Sequence, residues 1–153
     1  MGEKTIVSNR RARREYHVLE NIEAGIALQG TEVKTLRMTN SMTLKDSYAD
    51  IIGGEIYLVG AHIPPYEYGN SMNHDPERPR KLLMHKREIA KLAQRVAEKG
   101  LTLVPLSVYF KHGIVKVDIG LCRGKHSFDK REAIKDRENK RDMDRALKES
   151  KYG

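Results

Sequence analysis

The chain has 153 residues, and 39% of them are hydrophobic, which suffices for the core of one globular domain. Lys and Arg outnumber Asp and Glu by 29 to 21, and the resulting net charge of +8 predicts a polyanionic partner. No stretch resembles a membrane-spanning helix or a signal peptide, and one cysteine excludes an internal disulfide, so we expect a cytoplasmic protein with no membrane partner.

The chain begins with a basic segment. Residues 1–14 contain five Lys or Arg side chains and one acid, and the cluster NRRARR occupies 9–14. We therefore predict a basic arm over residues 1–14. Residues 16–28 show short apolar alternations, which predict two strands, or one long strand broken near Asn21 and Gly25.

The middle of the chain indicates a helix, a hairpin and a loop. Residues 30–40 change to a three-residue apolar spacing, which predicts a short helix, capped by Thr31, that plugs one end of a sheet. Two β-branched or aromatic runs flank Gly53 and Gly54, and this arrangement predicts a β-hairpin. Residues 62–79, here called the proline-rich loop, hold four of the five prolines and have no usable period.

The second half predicts one more helix and one more hairpin. Residues 81–100 have a helical apolar stripe, a basic outer face and a final glycine, which predict an amphipathic helix packed on the sheet. The stripe consists of Leu82, Leu83, Ile89, Leu92, Ala93 and Val96. A second hairpin is predicted around the turn at 111–113. About six strands with flanking helices favour a mainly β fold, an OB-like closed antiparallel barrel without exposed edges.

The composition changes after Phe128. Of the 25 residues from 129 to 153, nine are Lys or Arg and seven are Asp or Glu. The segment therefore has too few apolar side chains to offset the entropy that is lost when a chain becomes ordered. A helix there would present a basic stripe of Arg137, Arg141, Arg145 and Lys148. We predict an arm at 1–14, a barrel at 15–128, and a tail at 129–153 that is disordered alone and helical on a phosphate-rich partner. An ordinary solvated face is the alternative for the tail.

The sequence gives weak signals for catalysis or metal binding. The six histidines are scattered, and no glycine-rich phosphate loop is present. His74 and Asp75, beside Pro76, are better explained as turn residues than as an acid-base pair. Cys122 has no activating neighbour other than Arg123. We therefore expect no enzyme activity, no cofactor and no metal.

Four basic clusters favour binding to nucleic acid. They lie in the arm, at the start of the predicted second helix, at the end of the last strand and in the tail. Phosphate contacts supply affinity without reading sequence, so specificity for RNA needs shape or base stacking. Candidates for stacking are Tyr16, Phe128 and the loop residues Tyr66 and Tyr68, with core filling as the alternative for Tyr16. Glu23 is suited to accept a hydrogen bond from a base or ribose, or to pair internally with an arginine.

Five stretches stand out as motifs: NRRARREY (9–16), EAGIALQGTEVKTLR (23–37), HDPERPRKLLMHKREI (74–89), KHGIVKVDIGLCRGK (111–125) and DKR (129–131). Together they resemble the SsrA-binding protein (SmpB) family, the bacterial partners of transfer-messenger RNA. The resemblance implies an OB-like barrel that binds the tRNA-like domain of transfer-messenger RNA and delivers it to stalled 70S ribosomes for trans-translation. It implies no catalysis. Elongation factor Tu and alanyl-tRNA synthetase are implied as indirect partners through the RNA, and we expect a monomer.

The basic clusters and the resemblance together give two sets of site residues. The RNA-binding candidates are Asn9, Arg10, Arg11, Arg13, Tyr16, Glu23, Lys34, Arg80, Lys81, Leu83, Lys86, Lys125, His126 and Phe128. The tail candidates, implied to enter the empty decoding site and messenger channel, are Asp129, Lys130, Arg131, Arg137, Arg141, Arg145 and Lys148. His126 replaces the second basic residue of the family's GKK, so contact by charge or by stacking stays open at this corner.

Two other functions remain as alternatives. A structural protein of the ribosome would share the basic arm, the barrel and the tail, and would not prefer isolated transfer-messenger RNA over ribosomal RNA fragments. A small RNA-processing enzyme using His74, Asp75 and Glu88 would cleave labelled RNA.

Overall fold

The computed structural model of the protein describes residues 3–69 and 73–125. In chain order the elements are β1 (Glu3–Ser8), α1 (Arg10–Glu15), β2 (Tyr16–Ile26), α2 (Gly30–Thr39), β3 (Tyr48–Ile52), β4 (Glu55–Val59), β5 (Arg80–Leu83), α3 (Lys86–Lys99), β6 (Thr102–Lys111) and β7 (Ile114–Gly124). The predictions for His126, Phe128 and the tail at 129–153 lie outside the described residues.

The seven strands form one sheet in the order β1-β6-β7-β2-β5-β4-β3. The sheet curls, so that Cα atoms of β3 come within 8 Å of Cα atoms of β6. No ladder of hydrogen bonds joins the edge strands β1 and β3 within the described ranges. The predicted mainly β fold with helices is therefore confirmed, whereas closure of the barrel is not.

Both predicted hairpins are present, and each has a two-residue turn. β3 and β4 are joined through Gly53 (φ 60°) and Gly54 (φ 79°), and β6 and β7 through His112 (φ 51°) and Gly113 (φ 78°). Two consecutive residues with positive φ match the twist of antiparallel strands, and glycine adopts this conformation without strain. The turns therefore fix the register of both hairpins.

The start of the chain differs from the predicted arm. Residues of β1 pair antiparallel with β6, from Glu3 opposite Lys111 to Ser8 opposite Ser107. The following arginines form α1, which packs Ala12 against β6 and β7. This segment belongs to the sheet because Ile6 is buried in the main core. In the sequence, the run of arginines that follows drew attention away from this apolar residue.

The predicted helix at 81–100 was wrong at its beginning. Arg80 and Leu82 point inward and are buried, whereas Lys81 and Leu83 are exposed, and this two-residue period is that of a strand. The helix α3 begins only at Lys86. It buries Ile89 and Leu92 and ends at Gly100 in the left-handed conformation. The spacing of Leu82 and Leu83 to Ile89 fits a helix as well as a strand, which explains the error.

Two smaller predictions also changed. The segment from Tyr16 to Ile26 is one continuous strand of 11 residues, without a break at Asn21 or Gly25. The helix predicted at 30–40 is α2, but its N-cap is Gln29, which forms a capping box with Glu32, rather than Thr31. The buried Leu36 of α2 packs in the main core, as expected for a helix that covers part of a sheet.

A buried ion cluster links α2, β5 and the proline-rich loop. Glu32 and Arg80 are both 0% exposed, and Arg80 Nε donates to Glu32 Oε2 at 2.5 Å. The other nitrogens of Arg80 donate to the carbonyls of Ala61 (2.8 Å) and Pro76 (2.9 Å). Arg78 Nη2 donates to the second carboxylate oxygen of Glu32 at 2.5 Å. Burial raises the pKa of Glu32, but hydrogen bonds from Arg78, the Gln29 amide and Arg80 outweigh it, so the pKa is lowered.

Replacing Arg80 with methionine should destabilise the fold strongly. The substitution removes one partner of a buried carboxylate and two donors to backbone carbonyls, a change that costs about 3–5 kcal/mol. Chemical denaturation measures the loss. The control is Lys81→Met on the adjacent exposed position, expected to stay within about 0.5 kcal/mol of the parent. Equal effects of the two substitutions would contradict the importance of the buried ion pair.

Candidate nucleic-acid interface

Arg80 does not belong to an RNA-binding surface, which corrects the prediction. Its guanidinium is fully buried and all three nitrogens donate hydrogen bonds within the protein. An arginine in this position cannot reach a phosphate without leaving Glu32 buried and underpaired. The residue is structural.

Asn9 is also used internally. Its Oδ1 accepts a hydrogen bond from the Ala12 amide at 3.1 Å and caps α1, while its Nδ2 donates to the Pro105 carbonyl at 2.9 Å. The Asn9 amide further donates to the Leu106 carbonyl at 2.8 Å. The side chain thus pins the start of α1 to β6. These bonds give Asn9 a structural role that positions the neighbouring arginines, and a direct RNA contact stays a prediction for this half-buried residue.

The arginines of α1 lie on the surface. Ala12 anchors the helix on a second apolar cluster with Val104, Leu106 and Cys122, and Tyr16 packs against this cluster half-buried. Arg10 and Arg13 are therefore turned outward. Arg11 pairs with Glu15 at 2.9 Å and approaches Asp46 at 3.7 Å. For Tyr16 the structure favours core filling over stacking.

The outer surface of the sheet brings together three of the predicted residues. Glu23 on β2 and both Lys81 and Leu83 on β5 are exposed, and Leu83 is 53% exposed despite its apolar side chain. Gly25 lies directly opposite Leu83, and a Cβ there would lie 3.2 Å from Leu83 Cβ. Gly25 therefore leaves one side of the leucine uncovered. We call this group the Glu23–Leu83 surface.

Glu23 is held by two side chains of β6. The hydroxyl of Tyr109 donates to Glu23 Oε2, and Lys111 Nζ lies 3.3 Å from the same oxygen. The hydrogen bond from Tyr109 is the main cause of a lowered pKa of Glu23, and Lys111 adds to it. Burial, and then the carboxylate of Glu23, raise the pKa of Tyr109. The carboxylate is therefore charged at neutral pH and held in place while it stays exposed.

The predicted lysines lie on different elements: Lys81 of the Glu23–Leu83 surface on β5, Lys34 on α2 and Lys86 on α3. Lys81 Nζ lies 3.4 Å from a carboxylate oxygen of Glu55. Lys34 lies on α2 with its Nζ 5.7 Å from the centre of the Tyr66 ring. Lys86 is exposed at the start of α3, and Lys125 follows β7 directly. The structure thus does not gather all predicted residues into one patch.

Sequence reasoning missed Gly25 as a site residue, and also Tyr109 and Lys111. Each matters only through a contact with a residue distant in the sequence: Gly25 through its pairing with Leu83, and the β6 residues through their side-chain contacts with Glu23. An alternation signal at 107–111, with Tyr109 on the same side as Lys111, was the available hint.

The residues considered for catalysis have structural roles. His74 is buried, with its ring nitrogens 2.9 Å from Thr31 Oγ1 and from the Ile63 carbonyl. Asp75 accepts from the Glu77 amide in a turn and does not cap a helix. Burial raises the pKa of the Cys122 thiol to about 11, so the thiol is protonated at neutral pH.

The residues that the structure describes hold neither a metal-binding cluster nor a membrane-spanning helix. No group of three or more His, Cys, Asp or Glu side chains there could hold a metal ion. No helix in the part of the chain that the structure describes is long and apolar enough to cross a membrane.

These features define a class: a basic, mainly β protein with a polar sheet surface suited to nucleic acid. The sequence model of the SmpB protein family matches residues 6–149. The chain therefore belongs to the SmpB family, as the motifs indicated.

The sequences of known relatives match this chain over almost its whole length. An SsrA-binding protein of Desulforamulus reducens is 57% identical over 97% of this chain and 92% of its own length. Those of Pelotomaculum thermopropionicum and Staphylococcus carnosus are 52% and 54% identical, covering 97% and 95% of this chain and 97% and 92% of their own lengths. A solved chain described under "tmRNA-SmpB: a journey to the center of the bacterial ribosome" is 51% identical, with a TM-score of 0.66 over 81% of this chain and 87% of that chain.

Tyr109→Phe should raise the pKa of Glu23 towards its ordinary value of 4.5, because the main hydrogen bond to the carboxylate is lost. A lowered folded-state pKa contributes stability above the ordinary value, and this contribution disappears as the pH falls through the folded pKa. The variant should therefore lose less stability on acidification between these values. NMR titration of the Glu23 carboxyl carbon measures the shift.

The control is Tyr57→Phe on β4, whose hydroxyl makes no hydrogen bond to another described residue. Glu23 should titrate there as in the parent. An unchanged midpoint in Tyr109→Phe would show that the tyrosine does not hold the carboxylate.

Proposed function

We propose that this protein binds the tRNA-like domain of transfer-messenger RNA and delivers that RNA to stalled ribosomes for trans-translation. The relatives are named for binding SsrA, and the similar solved chain comes from a description of transfer-messenger RNA and SmpB in the bacterial ribosome. The net charge of +8 fits a partner with a phosphate backbone.

The observation that carries the proposal is the Glu23–Leu83 surface. The exposed carboxylate of Glu23 is held by Tyr109 and Lys111, which use only part of its acceptor capacity, so it can still accept a hydrogen bond from a donor on the RNA. Base amino groups and ribose hydroxyls are such donors. Leu83, open beside Gly25, offers apolar contact to a sugar or base, and Lys81 supplies charge close by. The surface combines shape, one acceptor and phosphate attraction.

We also propose that the curled sheet acts as an OB-like barrel and that the tail has a separate task. The approach of β3 to β6 supports barrel-like curvature. The tail, starting at Asp129, Lys130 and Arg131, has the charge to lie along ribosomal RNA in the decoding site and messenger channel. In this division the folded body holds the RNA and the tail reports an empty channel.

The remaining partners follow from the RNA. Elongation factor Tu and alanyl-tRNA synthetase would be reached through the tRNA-like domain, without direct contact to this protein. We propose that the protein acts as a cytoplasmic monomer and performs no catalysis of its own.

Glu23→Ala should weaken binding to transfer-messenger RNA by about 1.5–3 kcal/mol, the contribution typical of a hydrogen bond to a charged group. Gel-shift titration measures the affinity, and thermal melting verifies the fold. A loss of affinity is the opposite of what simple electrostatics predicts, because removing an acid from an RNA-binding protein reduces the repulsion of phosphate.

Glu98→Ala is the matched control, because Glu98 is an exposed acid on α3 that bonds only Gln94 among the described residues. Its affinity should be unchanged or slightly higher. If both glutamate variants bound equally well, Glu23 would not be part of the RNA site.

Ending the chain after Phe128 should leave RNA affinity intact and abolish peptide tagging on stalled ribosomes. The body carries the RNA contacts, whereas the removed tail carries the contacts to the channel. Gel shift and a tagging reaction in a reconstituted translation system measure the two activities on the same preparation. Equal loss of both activities would refute the division of labour.

A further inference from the structure

A second candidate site lies between α1 and the segment 42–45. There a cleft of about 340 Å³ is lined by Ser8, Arg10, Met42, Thr43, Leu44 and Lys45, among others. Its volume is that of a small-molecule pocket and too small for a docked helix. Neither the family resemblance nor the proposed Glu23–Leu83 surface involves the wall formed by 42–45.

The cleft is preformed because both walls are fixed. Asn9 ties the α1 wall to β6 through the Pro105 and Leu106 carbonyls. The other wall is held by the pair of backbone hydrogen bonds between Thr43 and His62, each 2.9 Å. Rigid walls lower the entropic cost of binding a ligand.

The chemistry of the cleft matches a nucleotide. Met42 and Leu44 are 8% and 3% exposed and give an apolar floor, while Ser8 and Thr43 bring hydroxyls. Arg11 is occupied by Glu15 and Asp46. Arg10 and Lys45 are exposed on opposite walls, and neither has an ion pair or side-chain hydrogen bond with another described residue. Two uncompensated cations over an apolar floor favour an anionic ligand with a flat or sugar-like body.

The cleft is separate from the Glu23–Leu83 surface. Lys111, which contacts Glu23, is paired with Glu3 at one end of β1, whereas Ser8 at the other end lines the cleft. Five steps along a strand span about 17 Å. One folded RNA is large enough to contact both ends of β1.

We propose that this cleft seats one nucleotide of the transfer-messenger RNA, with one of its two flanking phosphates against Arg10, the other against Lys45, and its base or ribose over Met42 and Leu44. The assignment rests on the function proposed above. It adds a second point of contact. Two separated contacts would set the orientation of the RNA on the sheet as well as increase its affinity.

The test is the salt dependence of RNA binding. Each phosphate contact contributes about 0.7–0.9 to the slope of log K against log salt concentration. Lys45→Ala and Arg10→Ala should each reduce the slope for transfer-messenger RNA by about this amount. The affinity advantage of the parent over each variant should then shrink about threefold between 50 and 200 mM salt.

Lys91→Ala is the matched control, an exposed lysine of α3 with no partner among the described residues. Its slope should equal that of the parent, and melting curves should agree for all four proteins. Unchanged slopes in the two cleft variants, or equal reductions in all three variants, would overturn the proposal. So would a reduction confined to a ribosomal RNA fragment used as second ligand.

Failure of the proposed function has a different signature. In that case the parent itself would bind transfer-messenger RNA no better than the ribosomal fragment, whatever the slopes of the variants.

Discussion

The buried pair of Glu32 and Arg80 determines how the outer surface is presented. Arg80 must point inward to meet Glu32, and because side chains alternate along a strand, Lys81 points outward, Leu82 inward and Leu83 outward. A slip of one residue in β5 would bury Lys81 and Leu83 and expose the guanidinium. The ion pair therefore specifies the register of the strand that carries two of the proposed RNA contacts.

This arrangement separates the roles of neighbouring charges. Arg80 stabilises the fold and Lys81 lies on the surface, although the two are adjacent in a basic cluster. Likewise Asn9 fixes α1, and the arginines that follow it are free to face outward. In both places a residue inside the fold fixes the position of a charged residue on the surface. Substituting the inner residue would therefore also weaken RNA binding, because the surface residue would lose its position.

The sequence predicted those parts of the fold that depend on local signals. Both hairpins followed from turns that contain glycine, although the second turn is His112 and Gly113 alone rather than 111–113, and α2 followed from a change of period. β5 was missed because four residues are too few to show a period, and the partner that buries Arg80 lies 48 residues away. The family resemblance named Glu23, Lys81 and Leu83 as RNA-facing residues, whereas the apolar stripe assigned Leu83 to a packed helix face, and the structure exposes it. Gly25 and Tyr109 acquire meaning only through contacts with residues distant in the sequence.

The edge strand β1 has a further consequence. An open edge offers unpaired backbone groups to any other extended chain. Here β1 begins with the charged Glu3 and Lys4, and its ladder with β6 is interrupted by a bulge between Thr5 and Val7. Charges and bulges at an edge oppose strand addition from another copy. The strand whose last two residues, Val7 and Ser8, line the cleft thus also opposes fibrous polymerisation while the protein is without its RNA.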